Sequence, residues 1–206
     1  MIGFYNYSVI LTYVGLAASM IGITEIFQGN FRWALLCLII SGTCDMFDGK
    51  VARAMKKRSD EAKVFGIQID SLCDLVCFGV LPGLFGYFTC ENRTLGTIAA
   101  VLFALAAVIR LGYFNVKEMA RQQQTTEHRK YYQGLPVTTI SMILPSAYII
   151  RELIGAKYIP GYFYSIVLLI VSFLFVYDFK VKKPGNTGCV IMSIYGVAIL
   201  VGVLLV

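Results

Sequence analysis

The chain has 206 residues, of which 58% are hydrophobic and 15% are charged, and its formal net charge is +6. So high an apolar fraction excludes an ordinary soluble domain, and it indicates one integral membrane domain over residues 1–206. A positive balance can suit nucleic acid, but in so apolar a chain we expect it to mark loops beside a membrane, with no nucleic-acid partner.

Seven apolar stretches follow one another along the chain, each near the length of about 20 residues that crosses a bilayer as a helix. They lie at about residues 8–26, 31–48, 65–88, 95–114, 135–154, 162–177 and 187–206. We therefore predict an all-α fold, a polytopic membrane helix bundle of about seven transmembrane helices. The cysteines lie mostly inside these stretches, where we expect them to be small buried hydrophobic residues.

Lysine and arginine are divided unequally between the loops that join these stretches. The loops after the second, fourth and sixth stretches hold thirteen of them, and the opposite loops hold four. By the positive-inside rule, the N-terminus and the loop between the second and third stretches face the cytoplasm. We expect an integral protein of the cell (inner) membrane of a prokaryote.

Four aspartates lie on either side of that cytoplasmic loop, namely Asp45, Asp48, Asp70 and Asp74. Spacings of three and four residues place each pair on one face of its helix, and antiparallel neighbours bring the two pairs together. A single Asp here could cap a helix or pair with a basic loop residue. Four carboxylates at membrane depth need a stronger partner, and oxygen donors suit Mg²⁺, Mn²⁺ or Ca²⁺ better than zinc.

Small residues and an arginine accompany the acids. Gly49 and Gly66 let a ligand approach the backbone closely, and the small side chain of Ala52 adds little bulk to the helix surface beside them. Arg53 lies about one turn beyond Gly49 and can bind a phosphate through two parallel N–H bonds. The pattern indicates a site where two metal ions could share ligands during transfer of a phosphoryl-type group.

The order Asp-x2-Asp-Gly-x2-Ala-Arg over residues 45–53, followed by Gly-x3-Asp-x3-Asp over residues 66–74, resembles the signature of the CDP-alcohol phosphatidyltransferases. The spacer of 12 residues, 54–65, is longer than is common in that family, and its extra residues are polar and charged. Residues 70–82, 109–115 and 132–137 are similar to the branch of the family whose acceptor is serine.

This resemblance implies a six-helix core with one added helix, and transfer of the phosphatidyl group from CDP-diacylglycerol to L-serine, giving phosphatidylserine and CMP. It implies Mg²⁺ or Mn²⁺, as two ions, held by all four aspartates, with Asp74 also taking the proton of the serine hydroxyl. A homodimer among membrane lipids is implied as well. The implied contacts to CDP-diacylglycerol are Thr12, Gly49, Ala52, Arg53, Ser59 and Gly66.

Arg110 is the other costly residue, a cation inside the fourth apolar stretch. It could be a helix-end charge that reaches toward water. Serine is zwitterionic and needs a cation near its carboxylate, so we predict that Arg110 clamps the serine carboxylate or a lipid phosphate. Lys117 and Arg121 are the alternatives, and His128 is expected to be solvated.

Two other functions remain open at this point. Glycerol 3-phosphate or inositol phosphate could be the acceptor in place of serine, although these phosphates would call for several nearby cations. A divalent-metal or proton-coupled transporter would also carry intramembrane acid pairs. Transporters usually place ligands in both halves of an inverted repeat, whereas these four acids lie in one hairpin.

Overall fold

A computed structural model describes residues 7–54, 59–124, 131–155, 157–182 and 185–206. The α-helices of this part of the chain are α1 Tyr7–Phe27, α2 Phe31–Ala54, α3 Asp60–Asp74, α4 Leu81–Thr89, α5 Arg93–Gln124, α6 Ile140–Ile154, α7 Phe163–Val176 and α8 Asn186–Leu205. A π-helical segment, Leu75–Val80, joins α3 to α4, and a 3₁₀ turn, Val137–Thr139, precedes α6. Each predicted apolar stretch therefore has a helical counterpart, which confirms the helical class.

The all-α prediction missed one small sheet. Two three-residue strands, β1 (Tyr131–Gln133) and β2 (Lys180–Lys182), pair antiparallel. Gly134 follows β1 with φ +70°, and its N–H donates to the Phe179 carbonyl at 2.7 Å. A side chain is disfavoured at that φ, so glycine allows the chain to turn from β1 toward α6. The pairing joins residues about fifty positions apart, which local periodicity does not reveal.

Four stretches of the described chain are long and apolar enough to cross a membrane, and two further apolar helices are shorter. The long ones are Val9–Phe27, Glu61–Thr89, Arg93–Arg121 and Val137–Ile154, and the short ones are Phe163–Val176 and Ile191–Leu205. Helix α2, which carries Asp45 and Asp48, is in neither group. These helices are consistent with a polytopic membrane protein. The count of seven membrane spans stays a prediction.

Helix α1 packs along α2, and glycine and serine residues lie at several points of their interface. A Cβ added at Gly22 would lie 2.9 Å from Cys37 Cβ, closer than two carbon side chains normally approach. One turn earlier on α1, Ser19 Oγ and Ser41 Oγ share a buried hydrogen bond of 2.7 Å. Small and hydroxyl residues of this kind allow helices in an apolar medium to approach closely and to bond across their interface.

The π-helical segment lies between the acidic part of α3 and the start of α4. Pro82, near the first turn of α4, lacks the N–H that would continue an ordinary helix, and the N–H of Leu81 donates to Val76, five residues back. The added backbone room accommodates Pro82 without a break in the helical path. In the π-helical segment, Phe78 and Gly79 are buried, and the segment packs against α1, α2 and α5. This packing holds the third apolar stretch in place next to Asp74.

Candidate active site

Three carboxylates from two helices meet at one point of the bundle. Asp45 lies in the later turns of α2, and Asp70 and Asp74 lie in the last turns of α3. Carboxylate oxygens of these three residues all lie within 4.8 Å of one another. Helical spacing explains why each pair faces one way, because residues three or four apart share a helix face. The expected convergence of the two pairs is therefore observed.

Asp48 completes the cluster from one turn beyond Asp45. Its side chain is buried, with 8% of its surface exposed. Its Oδ2 accepts a hydrogen bond of 3.0 Å from Thr12 Oγ1 on α1, and its carboxyl lies within hydrogen-bonding reach of Asp70. Thr12, predicted as a contact to CDP-diacylglycerol, is thus placed directly against the acidic cluster.

The donor set fits a hard divalent cation. All four side chains offer carboxylate oxygens, the ligands that Mg²⁺, Mn²⁺ and Ca²⁺ prefer. Carboxylates this close together repel one another when ionised, so a cation or bound protons must offset their charge. Asp48 already has a hydrogen-bond donor in Thr12, which would orient its second oxygen as a metal ligand. A site of this composition can hold a cation against the phosphates of a substrate.

The surface of α2 is open at Gly49, the residue that follows Asp48. Within the described chain, no atom lies within 4 Å of a Cβ added at Gly49. Gly66 is half-buried in α3, one turn before Asp70 and therefore on the same face. Ala52 and Arg53 belong to the last turn of α2, but their side chains lie outside what the structure describes.

Ser59 has an identifiable structural role. Its side chain accepts a hydrogen bond of 3.2 Å from the Ala62 N–H and so caps the N-terminus of α3. The second half of the long spacer, residues 60–65, is therefore a helical extension of α3 before Gly66. Contact between Ser59 and a nucleotide stays a prediction, and residues 55–58 lie outside the described chain.

Arg110 is buried, with 7% of its surface exposed, and it contacts the segment that follows β1. Its guanidinium donates to the carbonyl oxygens of Leu135 at 3.1 Å and Gly134 at 3.4 Å. On the same helix, Tyr113 donates to Gln133 Oε1 at 2.8 Å. These bonds tie α5 to the β1–α6 connection. A role for Arg110 as a serine clamp stays a prediction.

The alternative cations have partners of their own where they are described. Arg121 donates to both carboxylate oxygens of Glu118, at 3.1 and 2.5 Å. The Lys117 ammonium lies 5.5 Å from the centre of the Tyr113 ring. His128 lies outside the described residues.

A polar pair beside the cluster was not assigned a role from the sequence. Ser71, which follows Asp70, donates through its Oγ to Asn115 Oδ1 at 2.7 Å. Asn115 is buried, with 9% exposed, although it lies on the apolar helix α5. A buried amide on such a helix is the signal that could have identified it, because amides at that depth require a partner. The bond links α3 to α5 next to Asp70.

Comparison with known proteins gives one family. The sequence profile described as CDP-alcohol phosphatidyltransferase matches residues 5–177. A protein of Saccharomyces cerevisiae named CDP-diacylglycerol--serine O-phosphatidyltransferase is 35% identical over 117 residues, 55% of this chain and 41% of that protein. Proteins of the same name are similar over more of their length, with 29% identity in Methanocaldococcus jannaschii (84% of this chain, 74% of that protein). In Mycobacterium tuberculosis the identity is 24% over 94% of this chain and 69% of that protein.

Proposed function

The chain belongs to the CDP-alcohol phosphatidyltransferase family, and from that premise we propose that it transfers the phosphatidyl group of CDP-diacylglycerol to L-serine. The products are phosphatidylserine and CMP. The observation that carries the proposal is the meeting of Asp45, Asp70 and Asp74 at one point, with Asp48 against Asp70 and the open position at Gly49 beside it. The names of the relatives support serine as the acceptor.

Asp74 accepts the proton of the serine hydroxyl in this proposal. The serine oxygen forms a bond to the phosphorus that carries the diacylglycerol, and the bond from that phosphorus to the bridging oxygen of the pyrophosphate breaks. The electron pair leaves with CMP, and the proton on Asp74 returns to solvent or to the departing phosphate. Asp74 lies within the carboxylate cluster, so the base and the reacting phosphorus would share one small volume.

A divalent cation, Mg²⁺ or Mn²⁺, held by the four aspartates would offset the negative charge of the pyrophosphate. The protein's own contribution is to orient those ligands. Thr12 holds one oxygen of Asp48, and the Ser71–Asn115 bond sets the helix face that presents Asp70. Ligands oriented by such bonds need less reorganisation when the substrate binds.

The remaining site residues surround the proposed nucleotide and acceptor positions. Gly49 leaves room for a phosphate beside Asp48, and Arg53 would bind phosphate oxygens through its two parallel N–H groups. Arg110 would bind the serine carboxylate directly, or it would position the serine site by donating to the carbonyl oxygens of Gly134 and Leu135. The proposed CDP-diacylglycerol contacts are Thr12, Gly49, Ala52, Arg53, Ser59 and Gly66.

The membrane setting belongs to the same proposal. Residues 1–206 act as one domain in the cell membrane of a prokaryote, with the carboxylate cluster facing the cytoplasm. The division of basic residues between the loops supports that orientation. Seven spans and a homodimer complete the proposed assembly.

The test uses the purified full chain in detergent with CDP-diacylglycerol, Mn²⁺ and radiolabelled L-serine. We expect labelled lipid and an equal amount of CMP, and we expect Asp74→Asn to lower the rate about 100-fold or more, since a general base contributes roughly 10²–10⁴. Asp178→Asn, which removes an exposed carboxylate beyond the end of α7, is the matched control and should keep the wild-type rate.

The acceptor is tested in the same assay. Glycerol 3-phosphate and inositol phosphate replace serine in parallel reactions, each followed by CMP release. CMP release with either phosphate and none with serine would refute the serine assignment while keeping the transferase chemistry. No CMP release with any acceptor would refute the transferase proposal itself.

A further inference from the structure

A second polar site lies at the end of the bundle opposite the carboxylate cluster. A cleft of about 540 Å³ opens there between the first turn of α2, the end of α6 and the first turn of α7. Arg32 and Asp45 are thirteen residues apart on α2, which places them about 20 Å apart along the helix axis. The residues that give the cleft its chemistry are Arg32, Trp33, Tyr148, Arg151, Glu152 and Tyr164.

Tyr164 provides an unusual polar atom in this cleft. The side chain is 1% exposed, and its ring packs edge-on against Phe85 with the ring centres 5.2 Å apart. Within the described part of the chain no hydrogen bond of ordinary geometry reaches its hydroxyl, although the Arg151 guanidinium lies within its reach. A buried hydroxyl that lacks a well-formed hydrogen bond costs free energy, so this atom favours a ligand that supplies one.

Two arginines give the cleft a positive charge. The Arg151 guanidinium lies over the Tyr164 ring, 5.6 Å from its centre, and its Nε donates to the Ile159 carbonyl at 3.1 Å. Arg32 donates to the carbonyls of Val203 and Leu204 at the end of α8. A guanidinium carries five N–H donors, so these backbone bonds leave donors on both arginines for an anion.

One acid and several aromatic rings complete the lining. The Glu152 carboxylate lies 3.7 Å from an Arg151 nitrogen and is 30% exposed, so it can also face a cationic group in the cleft. Trp33 and Tyr148 also line the cleft, and Trp33 is 58% exposed. Aromatic rings of this kind favour the region where lipid headgroups meet hydrocarbon, and they also attract ammonium groups.

We propose that this cleft binds the headgroup of a zwitterionic phospholipid, with the phosphate against Arg151 and the Tyr164 hydroxyl and the ammonium toward Glu152. The volume is within the usual range of small-ligand sites, roughly 300–1,000 Å³. The proposal places these helix ends at a membrane surface, where a lipid headgroup can reach the cleft. The site is separate from the carboxylate cluster and does not depend on the proposed transferase activity.

Trp33 makes the proposal directly measurable, because it is the one tryptophan of the 206-residue chain and it lines the cleft. The full chain in maltoside detergent is titrated with dihexanoylphosphatidylethanolamine while Trp33 fluorescence is recorded. We expect a saturable change in the wild type and in Asp74→Asn, whose substitution lies at the other end of the bundle. Tyr164→Phe should weaken the binding about five- to tenfold, and Tyr177→Phe, at an exposed tyrosine beyond α7, should leave it unchanged.

Two further ligands and a stability measurement distinguish the proposal from a purely structural tyrosine. Dihexanoylglycerol, which lacks the phosphate, should give no saturable change, and inorganic phosphate should bind at least tenfold more weakly than the lipid. Without lipid, Tyr164→Phe should melt at the wild-type temperature or above it, because the hydroxyl that it removes makes no well-formed hydrogen bond. Three results would each overturn the proposal. They are equal lipid binding by Tyr164→Phe and wild type, dihexanoylglycerol binding as tight as that of dihexanoylphosphatidylethanolamine, and inorganic phosphate binding as tight as that of the same lipid.

Discussion

Thr12 Oγ1 donates a hydrogen bond of 3.0 Å to Asp48 Oδ2, across 36 residues of sequence. The bond joins α1 to the carboxylate cluster that α2 and α3 build. It occupies one oxygen of Asp48 and thereby directs the other. The first helix thus takes part in orienting the proposed ligands.

Removal of that donor should weaken the cation site. In Thr12→Val the shape is nearly kept while the hydroxyl is lost, and a hydrogen bond to a charged group contributes about 1.5–3 kcal/mol. We expect the Mn²⁺ concentration for half-maximal activity to rise about tenfold or more. Thr24→Val is the control, because its hydroxyl donates to the Ile21 carbonyl at an exposed turn of the same helix. An unchanged Mn²⁺ dependence in Thr12→Val would contradict an orienting role.

A bound divalent cation should stabilise the fold. Ligand at about 100 times its dissociation constant adds about 2.7 kcal/mol, so we expect Mn²⁺ to raise the wild-type melting temperature by about 5 °C or more. Asp70→Asn should lose most of this shift, because it removes one of the proposed ligands. Without cation it should melt at a temperature no lower than that of the wild type, because one repelling charge is gone. Asp178→Asn should keep the full shift. Equal shifts in Asp70→Asn and wild type would refute the cluster as the metal site.

The Ser71–Asn115 bond should couple the two residues energetically. We expect Ser71→Ala and Asn115→Leu each to destabilise the protein, and the double variant to lose less than the sum, with a coupling of about 1 kcal/mol. Unfolding in denaturant, compared over the four variants, measures it. Ser71→Ala should also lower the proposed activity through the position of Asp70. Additive effects of the two substitutions would mean that the bond does not set the helix position.

Close packing of α1 on α2 should make Gly22 intolerant of a larger residue. The Cβ of Gly22→Ala would lie 2.9 Å from Cys37 Cβ and 2.8 Å from a Leu81 methyl group. We expect a loss of about 1–3 kcal/mol, the usual cost of overpacking. Gly196→Ala on α8 is the matched control, because no atom of the described chain lies within 4 Å of its added Cβ. There alanine should be neutral or stabilise the helix by up to about 1 kcal/mol.

Helices and the composition of the site were accessible to sequence reasoning, because both depend on local spacing. Apolar stretches of about 20 residues predict helices whatever their neighbours are. Asp45 and Asp48, like Asp70 and Asp74, share a helix face by their spacing alone. The β1–β2 pairing has no such signal, and neither does the π-helical segment that lies between Asp74 and Pro82.

The sequence by itself determined the helical class, the membership in one enzyme family and the four aspartates that form the cluster. The tertiary structure decided that Thr12 faces Asp48, that Ser71 bonds to Asn115, and that Tyr164 and Arg151 share a cleft with Trp33. The physical reason is that a helix can rotate about its axis without any change in its own hydrogen bonds. Only packing against its neighbours, through close contacts such as Gly22 on Cys37, fixes which side chains meet.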